Sequence, residues 1–88
     1  MIQVFAISLA GGDSHEHIAE VRWLNPSTGK QGTSTRSAMV TWLRKENRAY
    51  VCDGRSIVDI GVVDANPPYI RTYADRRWTN NLLSLPRY

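Results

Sequence analysis

The sequence predicts an α+β fold, with a small antiparallel sheet of about five strands and one helix packed across it, in the order ββαβββ. Two observations lead to this prediction. Short runs rich in β-branched and aromatic residues are separated by Gly, Pro, Asn and Asp. Only one longer run places its apolar residues at helical spacing. The 88 residues are predicted to form a single domain, residues 1–88.

Two strands are predicted before the helix. The first, residues 2–9, is apolar on both faces, which is typical of a central strand, and Gly11 and Gly12 end it. The second, residues 17–24, alternates, so one face is expected to carry His17, Ala19, Val21 and Trp23. Residues 25–29 predict a turn, and residues 30–32 a short return strand.

The helix is predicted over residues 36–47, because hydroxyls suited to an N-cap precede it at positions 33–35. Its apolar stripe consists of Met39, Val40, Trp42 and Leu43. Three further strands are predicted over residues 49–53, 56–63 and 69–73, with turns at 53–54 and 75–77. The tail, residues 78–88, carries Leu82, Leu83 and Leu85 and is expected to pack on the sheet or on another subunit, which predicts a homo-oligomer.

Composition restricts the class of protein. Cys52 is the single cysteine, and its apolar surroundings predict a buried, inert thiol in a reducing cytoplasm. No apolar run is long enough to cross a bilayer, so a cytoplasmic protein without a membrane partner is expected. The net charge is +3, and nine of the eleven basic residues are Arg. Arg suits phosphate and carboxylate groups, although a GC-rich coding sequence also explains its excess.

A glycine-rich loop forms the first candidate ligand site. Gly11 and Gly12 can expose backbone N–H groups to an anion, and His15 and His17 are expected on one side if the strand begins early. These imidazoles could contact a phosphate or, together, serve a small hydrolase. They could also ligate a metal, but no third ligand is evident in the sequence. The alternative is a polar turn whose imidazoles bond to the backbone or flank Trp23. No metal and no cofactor is predicted.

Arg71 is the second candidate, because it lies between Tyr69 and Tyr73 on one strand face. An Arg there can hold a phosphate while the rings stack a base. It can equally brace the C-terminal segment by bonding backbone carbonyls. The first interpretation predicts that His17 and Arg71 converge on one site.

Nucleic acid is the alternative anionic partner. A set of basic residues at a helix end and two turns could form one rim interleaved with Tyr73 and Trp78: Arg44, Arg48, Arg55, Arg76 and Arg77. The other interpretation is that these residues are scattered on solvated turns.

Three sequence segments resemble the family known as domain of unknown function 3892, short proteins of bacteria and their phages. They are GGDSHEHIAEVRW, SAMVTWL followed by AYV, and YIRTYAD followed by TNNLLSLPRY. The resemblance implies a compact domain and directs attention to His15, Glu16, His17, Arg71, Thr72 and Asn81. Where the family commonly has Asp-Asn, this chain has Asn80-Asn81. The resemblance implies no activity.

The leading functional hypothesis is therefore a non-enzymatic binding domain for an anionic ligand. That ligand is a nucleotide-like small molecule, bound by a phage or bacterial accessory protein that sequesters it, or a nucleic acid. A protein-interaction or assembly module that uses the apolar tail is the alternative, and a hydrolase around His15 and His17 is the third.

Overall fold

The computed structural model describes residues 1–52, 54, 56–74 and 76–88, which form one mixed sheet and one α-helix. In chain order the elements are β1 (Ile2–Leu9), a 3-10 turn (His15–His17), β2 (Ile18–Leu24), β3 (Gln31–Thr35), α1 (Arg36–Arg44), β4 (Ala49–Cys52), β5 (Ile57–Val63), β6 (Tyr69–Ala74) and β7 (Arg77–Thr79). The α+β class is thus as predicted.

The predicted strand count and strand arrangement are wrong. The described residues form seven strands in the order β3-β2-β1-β4-β5-β6-β7. All neighbours are antiparallel except β1 and β4, which pair in parallel at Ile2 with Ala49 and at Gln3 with Tyr50. This pairing joins a strand that precedes the helix in the chain with one that follows it. The periodicity of either segment carries no information about a contact between distant segments.

The two strands that the sequence did not predict in full are the edge strands β3 and β7. Strand β3 extends to Thr35, beyond the predicted residues 30–32, and β7 occupies part of a predicted turn and tail. Both are short and largely exposed, so their apolar pattern is weak. The predicted turns at 53–54 and 75–77 include Asp53 and Asp75, which lie outside the described residues.

Helix α1 begins as predicted and ends three residues early. The side chain of Thr35 accepts a hydrogen bond from the Ala38 N–H at 3.2 Å, which caps the N-terminus. At the other end Glu46 has a φ of 67°, and the Asn47 side chain donates to the Trp42 carbonyl at 3.0 Å. On the apolar stripe Met39 and Val40 are buried, while Trp42 and Leu43 are half-buried against the core.

The C-terminal tail packs on its own chain. Leu82 is fully buried, and Leu83 and Leu85 pack against the core. The tail then follows β1, where the Ile7 N–H donates to the Pro86 carbonyl at 3.0 Å. The leucines therefore give no argument for a subunit interface, and the homo-oligomer stays a prediction.

The sheet has an inner face that packs on α1 and an outer face that does not. The inner face carries the core residues of β4, β5 and β6, namely Val51, Ile60 and Ile70, which are buried with Met39 and Val40. Cys52 alternates with Val51 and is exposed, so the predicted burial of its thiol is wrong. Within the described residues, no helix has the length and apolarity needed to span a membrane.

Candidate anion-binding site

A cleft of about 440 Å³ lies where the 3-10 turn, the start of α1 and the connection from β5 to β6 meet. Its walls include Glu16, His17, Arg36, Asn66 and Tyr69. An adjoining cavity of about 270 Å³ extends it along Thr35 and Ser37 at the helix N-terminus. Ligand pockets of proteins are typically about 300–1,000 Å³. The cleft is therefore large enough for a small organic ligand.

The glycine loop positions the imidazole of His17 in this cleft. A Cβ atom at Gly12 would lie 2.5 Å from the His17 ring, so the ring lies directly on the Gly12 backbone. The Ser14 hydroxyl lies 2.9 Å from His17 Nδ1 and orients the ring. Gly11, with a φ of +80°, makes the turn that brings this backbone close. Gly11 and Gly12 thus hold the His17 ring in position in the cleft.

Arg36 contributes the positive charge of the cleft. It is the first residue of α1, and its Nη1 donates to the carbonyl of Glu16 in the 3-10 turn. A guanidinium has five N–H donors, and the contact with Glu16 uses one of them, which leaves capacity for an anion. The N–H groups of the first turn of a helix lack intrahelical partners and form the positive end of the helix dipole. Arg36 and the helix N-terminus therefore both favour negative charge in the cleft.

The sequence places Arg36 at the start of the predicted helix, but Arg36 is not among the predicted site residues. A signal was present, because a cation is unfavourable at the positive end of a helix. An Arg immediately after the N-cap therefore points to a partner for its charge. Its partner in the structure is the carbonyl of Glu16. Glu16 lies far from α1 in the chain, so the helical pattern of the sequence does not predict this contact.

Arg71 and Asn81 take part in a different arrangement. Arg71 Nε donates to the Thr79 carbonyl at 3.1 Å, and its Nη2 donates to the Asn80 side chain at 3.0 Å. The Thr79 hydroxyl donates to Asn81 Oδ1 at 2.7 Å. These contacts bind the segment that follows β7 to β6. They match the bracing interpretation of Arg71, and Arg71 is not among the residues that line the His17 cleft.

A family model for a protein of unknown function, DUF3892, matches residues 3–86. The chain belongs to the DUF3892 family. The resemblance seen in its motifs is thereby confirmed. No curated protein matches the chain, and no solved structure matches it. Membership of DUF3892 assigns no activity, so any function of this chain must be argued from its site.

In this DUF3892 chain His15 and His17 point in different directions, and the prediction that they lie on one side is wrong. The expected early strand is a 3-10 turn, which turns His15 into the interior and leaves His17 in the cleft. His15 is 7% exposed, and its buried Nε2 atom has no hydrogen-bond partner. Burial lowers the pKa of His15, and the positive charge of Arg71 lowers it further. Within the described residues, no three His, Cys, Asp or Glu side chains form a group that could hold a metal ion.

The lowered pKa of His15 predicts that this DUF3892 domain loses stability on mild acidification. The unfolded chain binds a proton at the ordinary histidine pKa of about 6.5, whereas the folded state resists it. The free energy of unfolding should therefore be highest above that pH and fall as the pH drops towards the folded pKa. Urea titrations between about pH 8 and pH 5.5 test this, because carboxylates stay ionised there. His15→Met should flatten the profile. A profile in His15→Met that stays as steep as in the wild type would contradict the prediction.

Two basic residues of the nucleic-acid alternative are bonded to acidic side chains in this DUF3892 domain. Arg44 pairs with Asp64 at 2.9 Å, and Arg48 pairs with Asp59 at 2.6 Å, so the two guanidinium groups bond to acids at different positions along the chain. Arg76 and Arg77 are exposed beside the connection from β6 to β7. Arg55 lies outside the described residues. The rim of these five residues therefore stays a prediction.

Proposed function

We propose that this protein is a non-enzymatic binding domain for a small anionic ligand of the nucleotide type, held in the cleft between the 3-10 turn, α1 and β6. The observation that carries the proposal is the convergence of His17, Arg36 and Tyr69, from three separate elements, on one cavity of about 440 Å³. A phosphate group fits the guanidinium of Arg36 and the N-terminus of α1. The ring of Tyr69 offers a face for a base.

Glu16 narrows the class of ligand. It is exposed at the cleft, and its Oε1 accepts a hydrogen bond from the Ser14 hydroxyl at 3.3 Å. A carboxylate repels a bare phosphate and accepts hydrogen bonds from sugar hydroxyls or from the amino group of a base. The pairing of Glu16 with Arg36 in one cleft thus supports a ligand that carries both an anionic group and donors, as nucleotides do.

A binding role fits the cleft better than a catalytic one. A hydrolase built on two histidines needs both imidazoles at the reacting atoms. His15 is buried and is not among the residues that line the cleft, and the Nδ1 atom of His17 is engaged with Ser14. The assembly-module alternative relied on the apolar tail, which is packed on the core of its own chain.

Thermal unfolding in the presence of AMP, GMP, ATP and GTP tests the proposal, with inorganic phosphate as a comparison. A nucleotide at about 100 times its dissociation constant should add about 2.7 kcal/mol to the free energy of unfolding. For a domain of this size the melting temperature should rise by roughly 10 °C or more. Inorganic phosphate should give a smaller rise, because Glu16 opposes it.

Arg36→Met is the decisive variant, and Arg44→Met is its matched control on the same helix. Loss of a hydrogen bond to a charged group should weaken nucleotide binding about 10- to 150-fold in Arg36→Met. Arg44, which pairs with Asp64 outside the cleft, should be replaceable with little effect. Circular dichroism would verify that both variants are folded. The proposal fails if none of the four nucleotides shifts the melting temperature, or if both variants lose affinity equally.

A further inference from the structure

A row of four side chains crosses the outer face of the sheet. The strand registers pair Tyr50 with Asp59, Asp59 with Tyr73, and Tyr73 with Trp78. Directly paired residues of neighbouring strands project to the same face. Strands β4, β5, β6 and β7 therefore present three aromatic rings and one carboxylate in a line, on the face opposite α1.

The aromatic residues at the end of this row are exposed. Tyr73 and Trp78 are each 41% exposed, and their rings meet edge to face with centroids 5.1 Å apart. The Trp78 ring also lies over Gly61, where a Cβ atom would be 3.3 Å from it. The glycine thus leaves room for the indole ring to approach the sheet closely. Two large rings held in fixed positions and open to solvent form a surface suited to stacking.

The charge around the row is positive. Asp59, the one acid of the row, is paired with Arg48 at 2.6 Å and is thereby neutralised. Arg71 follows in the next row, paired with Gly61, and the exposed Arg76 lies at the turn from β6 to β7, between Tyr73 and Trp78 in the chain. Arg77 pairs with Ala74 and therefore projects to the other face. A protein partner that buried this face would have to cover several guanidinium groups, whereas a phosphate backbone complements them.

We propose that this outer face binds single-stranded nucleic acid, with bases stacked on Tyr73 and Trp78 and phosphates beside Arg76. Aromatic rings on an open sheet, bordered by basic side chains, hold unpaired bases with little sequence preference. The surface is separate from the nucleotide cleft. Tyr73 lies four residues along β6 from Tyr69, which is about 13 Å at the rise of a strand.

Fluorescence anisotropy of a labelled ten-residue oligothymidylate at about 50 mM salt tests this inference. The wild-type protein should bind it, and Tyr73→Ala or Trp78→Ala should weaken binding about 5- to 150-fold, the range expected for one lost stacked base. Tyr88→Ala is the matched control, because Tyr88 is 39% exposed and stacks on Arg22 instead. It should leave the affinity unchanged.

Further variants separate stacking from simple charge attraction. Tyr73→Phe and Trp78→Phe keep an aromatic ring and should bind the oligonucleotide nearly as the wild type does. These variants also keep the inference testable if an alanine variant fails to fold. Arg76→Gln should flatten the salt dependence of binding. Arg36→Met should not change the affinity for the oligonucleotide. A negative result for the outer face can therefore be told apart from a negative result for the nucleotide cleft.

Three results would overturn the inference. The first is the absence of any anisotropy change with the wild-type protein. The second is binding that survives Tyr73→Ala and Trp78→Ala, which would reduce it to a charge contact. The third is a wild-type dimer in sedimentation that Trp78→Ala converts into a monomer without any binding of the oligonucleotide, since the face would then be covered by a second copy of the chain.

Discussion

Replacing Leu82 with alanine should lower the free energy of unfolding by about 2–5 kcal/mol, because the shortened side chain leaves a cavity in a small core. Leu82 has no exposed surface and joins the tail to the core cluster. A domain of this length has a total stability of roughly 4–13 kcal/mol. The substitution should therefore remove a large part of it. Urea titration, with an unchanged m-value, measures the loss.

Leu83→Ala provides the matched control for this prediction. Leu83 is the next residue in the chain and only half-buried, so the same change there should cost clearly less. Equal losses for the two variants would mean that the tail does not insert Leu82 into the core as the structure shows.

Thr72→Val should destabilise the domain by about 1–3 kcal/mol although it preserves the shape of the side chain. The fully buried Thr72 hydroxyl donates to the Thr79 carbonyl at 3.1 Å. It also accepts a hydrogen bond from the Leu82 N–H at 3.3 Å, and the Thr79 hydroxyl oxygen lies 2.7 Å from it. Valine would leave the Leu82 N–H buried without a partner. Chemical denaturation at neutral pH measures the effect.

Thr33→Val makes the same chemical change on the exposed edge strand β3 and should alter stability by no more than about 0.5 kcal/mol. If Thr72→Val were equally mild, the hydrogen bonds around Thr72 would not hold the tail. Thr72→Val and Leu82→Ala affect one junction, so their effects should not be additive.

The candidate cleft could be predicted from the sequence only in part. His17 and Tyr69 were both selected as site residues, and the structure brings them to one cavity. Arg71 was expected beside His17, but its guanidinium bonds to Thr79 and Asn80 instead. An Arg between two tyrosines can bind a ligand or a backbone carbonyl. The path of the chain through β7 and the segment after it decides which of the two it binds. The residues next to Arg71 do not contain that information.

The sequence by itself determined the α+β class, the start of α1 and the group of hydroxyls at positions 33–35 that supplies its N-cap. These follow from periodicity and from hydrogen bonds within a few residues, which the chain encodes locally. Only the tertiary structure decided the parallel pairing of β1 with β4, the edge strands, and the burial of His15. It also decided the row from Tyr50 to Trp78. Each of these depends on the register between distant segments, and a register is selected by the packing of the whole core.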